Sequence, residues 1–439
     1  MKKSFTLVLV ALLAFFSAAA QNVNPEFLAA IRENPFRAGV NTCPYEGGPY
    51  ADTRAPKGYK PFYISHYGRH GSRSNWDENT YRHLISTLES AEADNLLTAD
   101  GRTLLDVTRQ CLELHNGMAG RLTPRGIREH RGIAERMYSN FTRVFRKGSG
   151  SVRVISSTVP RCIISMTAFT DRLTELDPAL EISWDTGETY QKYIDPKYPD
   201  SYTRPALRAL ASLERLPVDS AAFASRFFTD PARAFSLIDR FPRFENEVFA
   251  VARITASFDI PTDILGMLPE ESLYNGWLGS NAYIYLSQAN SLESGRLRME
   301  PAGRTVEDIV AKADAVIAGD NTAADLRFGH DFPLVALCSY IGLEGVGQVL
   351  PAEEIALKWF GSDYTPFAGN LQLVFYRNNS GGDVLVKFLL NERETLIDGL
   401  KPLQGPYYVW NDVKTWLKGR AAGFEAAVRE FRESHPEES

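Results

Sequence analysis

The chain has 439 residues, 44% of them apolar and 23% charged, which is ordinary for a globular protein and leaves room for two domains or one domain with a sizeable insertion. Its formal net charge of −6 argues against a general nucleic-acid binder and supplies no long-range pull on anions. Any affinity for phosphate must come from a local basic cluster.

The first twenty residues combine a basic start (Lys2, Lys3), an apolar run from Leu7 to Phe16 and small residues from Ser17 to Ala20. This is the layout of a secretory signal peptide cut after Ala20. The run is too short to span a bilayer comfortably, and no later run reaches transmembrane length. An exported protein is expected, in the periplasm or outside the cell. Cys43, Cys111, Cys162 and Cys338 allow one or two disulfides in such a compartment. Cys111 and Cys338 also fit apolar helical patterns as simple core thiols.

Gln21 to Lys60 is rich in Asn, Pro, Gly and Tyr and reads as an irregular lead-in. The next stretch, PFYISHYGRHGSRS from Pro61 to Ser74, organises the rest. Phe62 to Ser65 reads as a strand. Gly68 and Gly71 allow a sharp turn where side chains would clash. Arg69, His70 and Arg73 then fall at the carboxyl edge of a sheet, where α/β folds bind ligands. One imidazole between two guanidiniums suits a phosphoryl group: the guanidiniums offer planar forks, and nearby cations favour a neutral, nucleophilic imidazole. His66 and His70 are four apart, but on a strand and turn they do not share a face as two zinc-binding histidines on a helix would.

Helical spacing follows at Tyr81, Leu84, Ile85 and Leu88, with Asp77 as N-cap, and again from Leu104 to Leu112. Thr123 and Pro124 open a further helix as N-cap and first residue; its apolar stripe runs from Ile127 to Phe145 and its basic face reads as solvated. Val152 to Ser156 is a second strand, leading to Arg161 at a helix start, where free N–H groups favour an anion. From Asp171 to Arg304 strand signals fade and helices are expected over 205–216, 231–241, 244–258 and 281–292. Another helix spans Thr305 to Ile317. Asp325 to Gly329 is a short strand running into His330 and Asp331. Leu371 to Arg377 and Val384 to Asn391 form a hairpin on the sheet edge, and the last thirty residues read as a helix with a charged tail.

Five of these segments resemble, in order, those of the histidine phosphatase superfamily: Arg69-His70-Gly71 with Arg73; the helix start Leu122, Thr123, Gly126 and His130; Arg161; the pair His330-Asp331; and the Leu389-Leu390-Asn391-Glu392 ending. The acid phosphatase, phytase and multiple inositol polyphosphate phosphatase branch fits best. The resemblance implies a mixed α/β sheet flanked by helices, with the catalytic domain in 21–170 and 305–439 and a helical cap in 171–304. It implies that His70 is the nucleophile, that Arg69, Arg73, Arg161 and His330 bind the phosphoryl oxygens, and that Asp331 protonates the leaving group. No metal or other cofactor is implied. The expected partner is a small phosphorylated substrate, inositol phosphates first, with a broad acid or sugar phosphatase and an inactive phospho-ligand binder as the alternatives. Arg54, Lys57, Lys60, Arg125 and Arg128 are candidates for further phosphate contacts. Two departures, Ser74-Asn75-Trp76 after the signature and Phe332-Pro333 after the His-Asp pair, lie beside the pocket and bear on substrate range.

Overall fold

The computed structural model describes residues 25–47, 52–146, 150–294 and 296–436. The expected signal peptide lies outside them. Among the described residues no helix is long and apolar enough to cross a membrane.

Strand β1 (Tyr59–Arg69) is the axis of the sheet. It is longer than Phe62–Ser65 because it gains a partner on each side: β4 (Thr322–Gly329) runs parallel to it and β5 (Asn370–Asn378) antiparallel. Two-sided pairing and helices on both faces bury it from Tyr63 onward, so its second half has no alternating pattern to read. Eight strands form one mixed sheet in the order β3-β2-β4-β1-β5-β6-β7, with β8 also on β6. Here β2 is Ser151–Ser156, β3 Ile182–Asp185, β6 Leu385–Leu390, β7 Arg393–Thr395 and β8 Tyr407–Val409. The expected hairpin is β5 and β6, but it is interior, not at the edge: β5 lies against β1, and β7 and β8 pair beyond β6. The stretch expected to be helical contains β3, an edge strand of four mostly exposed residues with no alternation to mark it.

The lead-in is not irregular. Helix α1 (Pro25–Glu33) buries Phe27 and Ile31, and a 3-10 segment (Pro35–Thr42) follows. Phe27 packs against Trp277 with ring centroids 3.8 Å apart and the rings tilted by 30°. A single i, i+4 apolar pair is too little periodicity to announce a helix.

One face of the sheet is covered by α4 (Pro124–Asn140) and α5 (Pro160–Leu176), whose Ile133, Met137 and Phe169 pack with Ile64, Val154 and Phe328. The other face is covered by α8 (Met299–Ile317), α9 (Asp331–Ile341) and α10 (Trp410–Ser434), joined by Tyr63, Leu337, Phe375 and Trp410. A third core is built mostly from helices, without a strand. It combines α2 (Asn79–Ala93) and α3 (Ala99–His115) with α6 (Phe241–Ala252) and α7 (Glu270–Gln288), through Leu84, Leu104, Val248 and Trp277. The helix expected over 231–241 is only Pro231–Ala234, and an unexpected one spans Ser220–Phe227.

Beneath the strand ends, His66 and His130 are buried against aromatic rings, Phe328 lying 5.4 and 5.7 Å from them and Phe169 5.5 Å from His66. Burial pushes both imidazoles down to about 3. In the unfolded chain each would titrate near 6.5, so the unfolded state binds protons that the folded state refuses. Stability is therefore expected to be full above pH 6.5 and to fall on acidification toward 3, by about 1.4 kcal/mol per pH unit for each ring. Urea melts at pH 7, 5.5 and 4.5 check this: His66→Gln should flatten the slope, and a slope that the substitution leaves unchanged would count against the account.

Candidate active site

The adjacent parallel strands β2, β4 and β1 all end at one edge of the sheet. Arg69 is level with Gly329, and Ser156 with Phe328. The next residues of each strand therefore emerge together: His70 from β1, His330 and Asp331 from β4, and Ser157 and then Arg161 from β2. Backbone bonds lock the three exits, with His70 N–H donating to Gly329 O at 3.0 Å and Ser157 N–H to Phe328 O at 2.8 Å.

The start of α4 holds the turn after β1. A Cβ on Gly71 would lie 2.5 Å from the Gly126 carbonyl oxygen, so the two backbones touch where only glycine fits. Glu129, buried one turn further, accepts from the Ser72 N–H at 2.7 Å and from the Ser72 hydroxyl at 2.7 Å. The sequence pattern showed the helix but not this carboxylate, because Glu129 sits among the charged residues of a face that looked solvated.

His70 is 2% exposed, and its Nδ1 donates to the Gly71 carbonyl at 2.9 Å. A carbonyl can only accept, so Nδ1 carries the proton and Nε2 presents a lone pair. Burial first, then the charges of Arg69, Arg161, Arg73 and His330, hold the ring well below its usual 6.5. The neutral form of the ring is therefore the favoured one.

Arg69 donates through Nη1 to Asn41 O at 2.6 Å and Thr365 O at 2.9 Å, and its Nη2 lies 3.2 Å from Asp331 Oδ2. Arg73 donates to Ser74 O at 2.8 Å. The buried Nε atoms of Arg69, Arg73 and Arg161 have no hydrogen-bond partner. Buried guanidinium donors left unpaired are costly, and an anion with several oxygens satisfies them together.

Asp331 opens α9. Its Oδ2 accepts from Asn41 Nδ2 at 2.7 Å and its Oδ1 from the Phe332 N–H at 3.0 Å. Burial alone would raise its carboxyl, but Arg69, the Asn41 hydrogen bond, His330 and Arg73 together hold it below the usual 3.8. The free protein thus carries a carboxylate here. His330 lies 3.0 Å from the Ser157 hydroxyl through Nε2, and burial is the largest cause that brings it down to about 4.

The six expected residues thus come to one edge of the sheet, with Arg69, His70 and Arg73 buried and Arg161, His330 and Asp331 half-buried. Others do not join them. Arg125 and Arg128 reach Asp259, at 3.8 and 2.6 Å. Lys57 and Lys60 lie at or before the start of β1, about 30 Å of strand from His70 at ~3.3 Å per residue. All four cysteines are buried and free; burial pushes the Cys162 thiol, beside His330, up to about 12.

Sequence reading missed Asn41, which arrives from a lead-in that looked irregular; it placed Trp76 beside the pocket without showing what the indole touches. The indole of Trp76 is 56% exposed at the rim, with the Arg73 guanidinium 3.9 Å and that of Arg161 4.7 Å from its ring centroid. Two such contacts contribute about 0.5–1 kcal/mol each. Trp76→Ala should therefore loosen the two guanidiniums and weaken binding of inorganic phosphate, with Trp76→Phe in between. Calorimetric titration reads this directly, and an unaltered affinity would remove Trp76 from the site.

No protein-family model and no curated protein matches this chain. Solved structures do. The multiple inositol polyphosphate phosphatase of Bifidobacterium longum in its apo form is 18% identical, covers 87% of this chain and 97% of its own, and superposes with a TM-score of 0.71. The same enzyme with inositol hexasulfate gives 18% identity, the same coverage and a TM-score of 0.69. The phytase from D. castellii is 13% identical, covers 88% of this chain and 86% of its own, and gives a TM-score of 0.62. At these identities the likeness is one of fold: the chain has the mixed sheet flanked by helices that those phosphatases share.

Proposed function

We propose that the chain is an exported phosphomonoesterase that works through a phosphohistidine on His70, with inositol polyphosphates as its substrate class. The observation that carries the reading is a neutral, buried imidazole with an unengaged Nε2, on which the charges of three guanidiniums act, at the sheet edge where Asp331 also emerges. In the first step Nε2 forms a bond to phosphorus while the ester P–O bond breaks, and the proton of the Asp331 carboxyl goes to the leaving alkoxide oxygen. In the second, water attacks phosphorus, the P–N bond breaks, and the Asp331 carboxylate takes the water's proton. Arg69, Arg73, Arg161 and His330 hold the non-bridging oxygens throughout. A bound phosphate shares the charge of Arg69 and Arg73, which removes part of the pull that keeps Asp331 ionised, so substrate binding itself supplies the acid form at mildly acidic pH.

The substrate class rests on the shared fold and on the bound inositol hexasulfate and phosphate of the Bifidobacterium longum enzyme. Export rests on the amino-terminal pattern. We assign 21–170 and 305–439 to the catalytic domain and 171–304 to a cap over the site, except that β3, the end of α5 and the start of α8 belong with the sheet; Phe332, beside Asp331, meets Tyr283 of that segment with ring centroids 6.1 Å apart. Phosphate release from inositol hexakisphosphate and from p-nitrophenyl phosphate, measured from pH 3 to 8 in chelator, tests the reading. Release from both is expected. Release from p-nitrophenyl phosphate alone would indicate a general phosphatase, and release from neither would overturn the reading.

A further inference from the structure

Val40, at the kink of the 3-10 segment, is a β-branched residue held at φ 49° and ψ −105°, where such side chains crowd their own backbone. A residue keeps a conformation of this kind only where its surroundings fix it, and such residues gather at functional sites. Val40 is fully buried in the third core. Its carbonyl accepts from the Cys43 N–H at 3.1 Å, and the Thr42 hydroxyl donates to Gly39 O at 2.8 Å. The segment is pinned on both sides of the kink. Before it, Arg37 pairs with Asp363. After it, the Cys43 carbonyl accepts from the Phe367 N–H at 2.9 Å, one residue from the Ala368 N–H that donates to His70 O at 3.0 Å.

The kink brings both polar ends of Asn41 to the sheet edge. Its backbone carbonyl accepts from Arg69 Nη1 at 2.6 Å, and its Nδ2 donates to Asp331 Oδ2 at 2.7 Å. A carboxylate can only accept, so the amide presents its NH2 here. Arg69 Nη2 lies 3.2 Å from the same Oδ2. Among the described residues, Oδ1 accepts only from the Phe332 N–H, at 3.0 Å. The two oxygens are therefore unequal. Two donors, one of them a cation, hold negative charge on Oδ2, so a proton that joins the carboxyl goes to Oδ1. Arg69, Arg73, Arg161, His330 and the Cys162 thiol are the titratable groups that face Asp331, and Arg69 alone among them pairs with it. After burial, which raises the carboxyl, Arg69 and then Asn41 are the strongest influences, and both lower it.

We infer, building on the phosphomonoesterase reading, that Asn41 is a positioning residue for the acid step: by fixing Oδ2 it leaves Oδ1 as the oxygen that carries the proton given to the leaving alkoxide. In that step the Oδ1–H bond breaks, the alkoxide oxygen gains the proton, and the carboxylate that remains is held by Asn41 and Arg69. The strained turn at Val40 is what sets the amide in place, so a segment at the far end of the chain from Asp331 orients the acid.

The tests are Asn41→Ala, which removes the donor, and Asn41→Asp, which keeps the size and sets a second carboxylate beside the first. Both keep the backbone carbonyl that accepts from Arg69 and the anchors at Arg37 and Cys43. In Asn41→Ala, kcat for inositol hexakisphosphate should fall at least about tenfold more than kcat for p-nitrophenyl phosphate, whose leaving group needs no proton. Losing a donor to the ionised form raises the carboxyl pKa. The basic limb of kcat/KM for inositol hexakisphosphate should therefore move to higher pH by about one unit or more, and further in Asn41→Asp. A residue that only supports the fold would lower both kcat values alike and leave the limb in place, and either result overturns the inference. The carboxyl carbon resonance of Asp331, assigned with Asp331→Asn, gives an arm that needs no turnover. It should titrate at higher pH in Asn41→Ala than in the unaltered protein, and equal titration overturns the inference. If the unaltered protein hydrolyses neither ester, the phosphatase reading fails while the resonance still decides whether Asn41 holds the carboxyl.

Discussion

His70→Ala is expected to lower kcat for any phosphate ester by about 10⁴-fold or more, because it removes the imidazole proposed to form the bond to phosphorus. Affinity for inorganic phosphate should change little, since Arg69, Arg73 and Arg161 remain. The unaltered protein, quenched in alkali in which a phosphoramidate survives, should carry one phosphoryl group on His70 by peptide mass spectrometry, and the variant none. A phosphorylated peptide elsewhere would relocate the nucleophile. The same residue sets a pH expectation. Since burial and then Arg69, Arg161, Arg73 and His330 hold its pKa well below 6.5, kcat/KM should show no tenfold-per-unit loss between pH 6.5 and 5 from protonation of the free nucleophile. An imidazole with an ordinary pKa would show it.

Asp331→Asn has the second largest expected effect, and its signature is dependence on the leaving group. An alkoxide leaves poorly without a proton, so kcat for inositol hexakisphosphate should fall by about 10²- to 10⁴-fold. A p-nitrophenolate leaves without one, so release from p-nitrophenyl phosphate should fall far less. Equal losses on both esters would mean that Asp331 serves only as structure, through its contacts with Asn41 and Arg69. The sign on the pH axis follows from the same contacts. Burial raises the free carboxyl, but Arg69, Asn41, His330 and Arg73 outweigh it and keep the group ionised. Bound phosphate competes for those cations, so the basic limb of the kcat profile should lie at higher pH than the range in which the free carboxyl titrates.

The residues we propose as nucleophile and clamp could be picked out because their signals are local. Arg69, His70 and Arg73 occupy one turn, Arg161 begins a helix after a strand, and His330-Asp331 follows another, so strand ends announced side chains bound for one sheet edge. The N-cap pair Thr123-Pro124 was equally local. What failed depended on partners distant in the chain. β1 is long because β4 and β5, more than 250 residues away by its pairing of Ile64 with Ala324 and Val374, complete its ladders. The hairpin is interior because β7 and β8 pair beyond it, which neither strand of the hairpin records.

Charge was the least legible property. Ten or more basic residues could have served a phosphorylated ligand, and nothing in the chain order separates Arg128, held by Asp259, from Arg240, which has no partner. The amino-acid sequence alone determined which residues can do the chemistry: an imidazole, guanidiniums and a carboxyl at the ends of strands, each specified by a few neighbours. Only the tertiary structure decided their states and their company. A pKa depends on burial and on charges brought near from other segments, as Asn41, Arg69 and Arg73 act on Asp331, and the ion-pair partner of an arginine is fixed by packing in three dimensions.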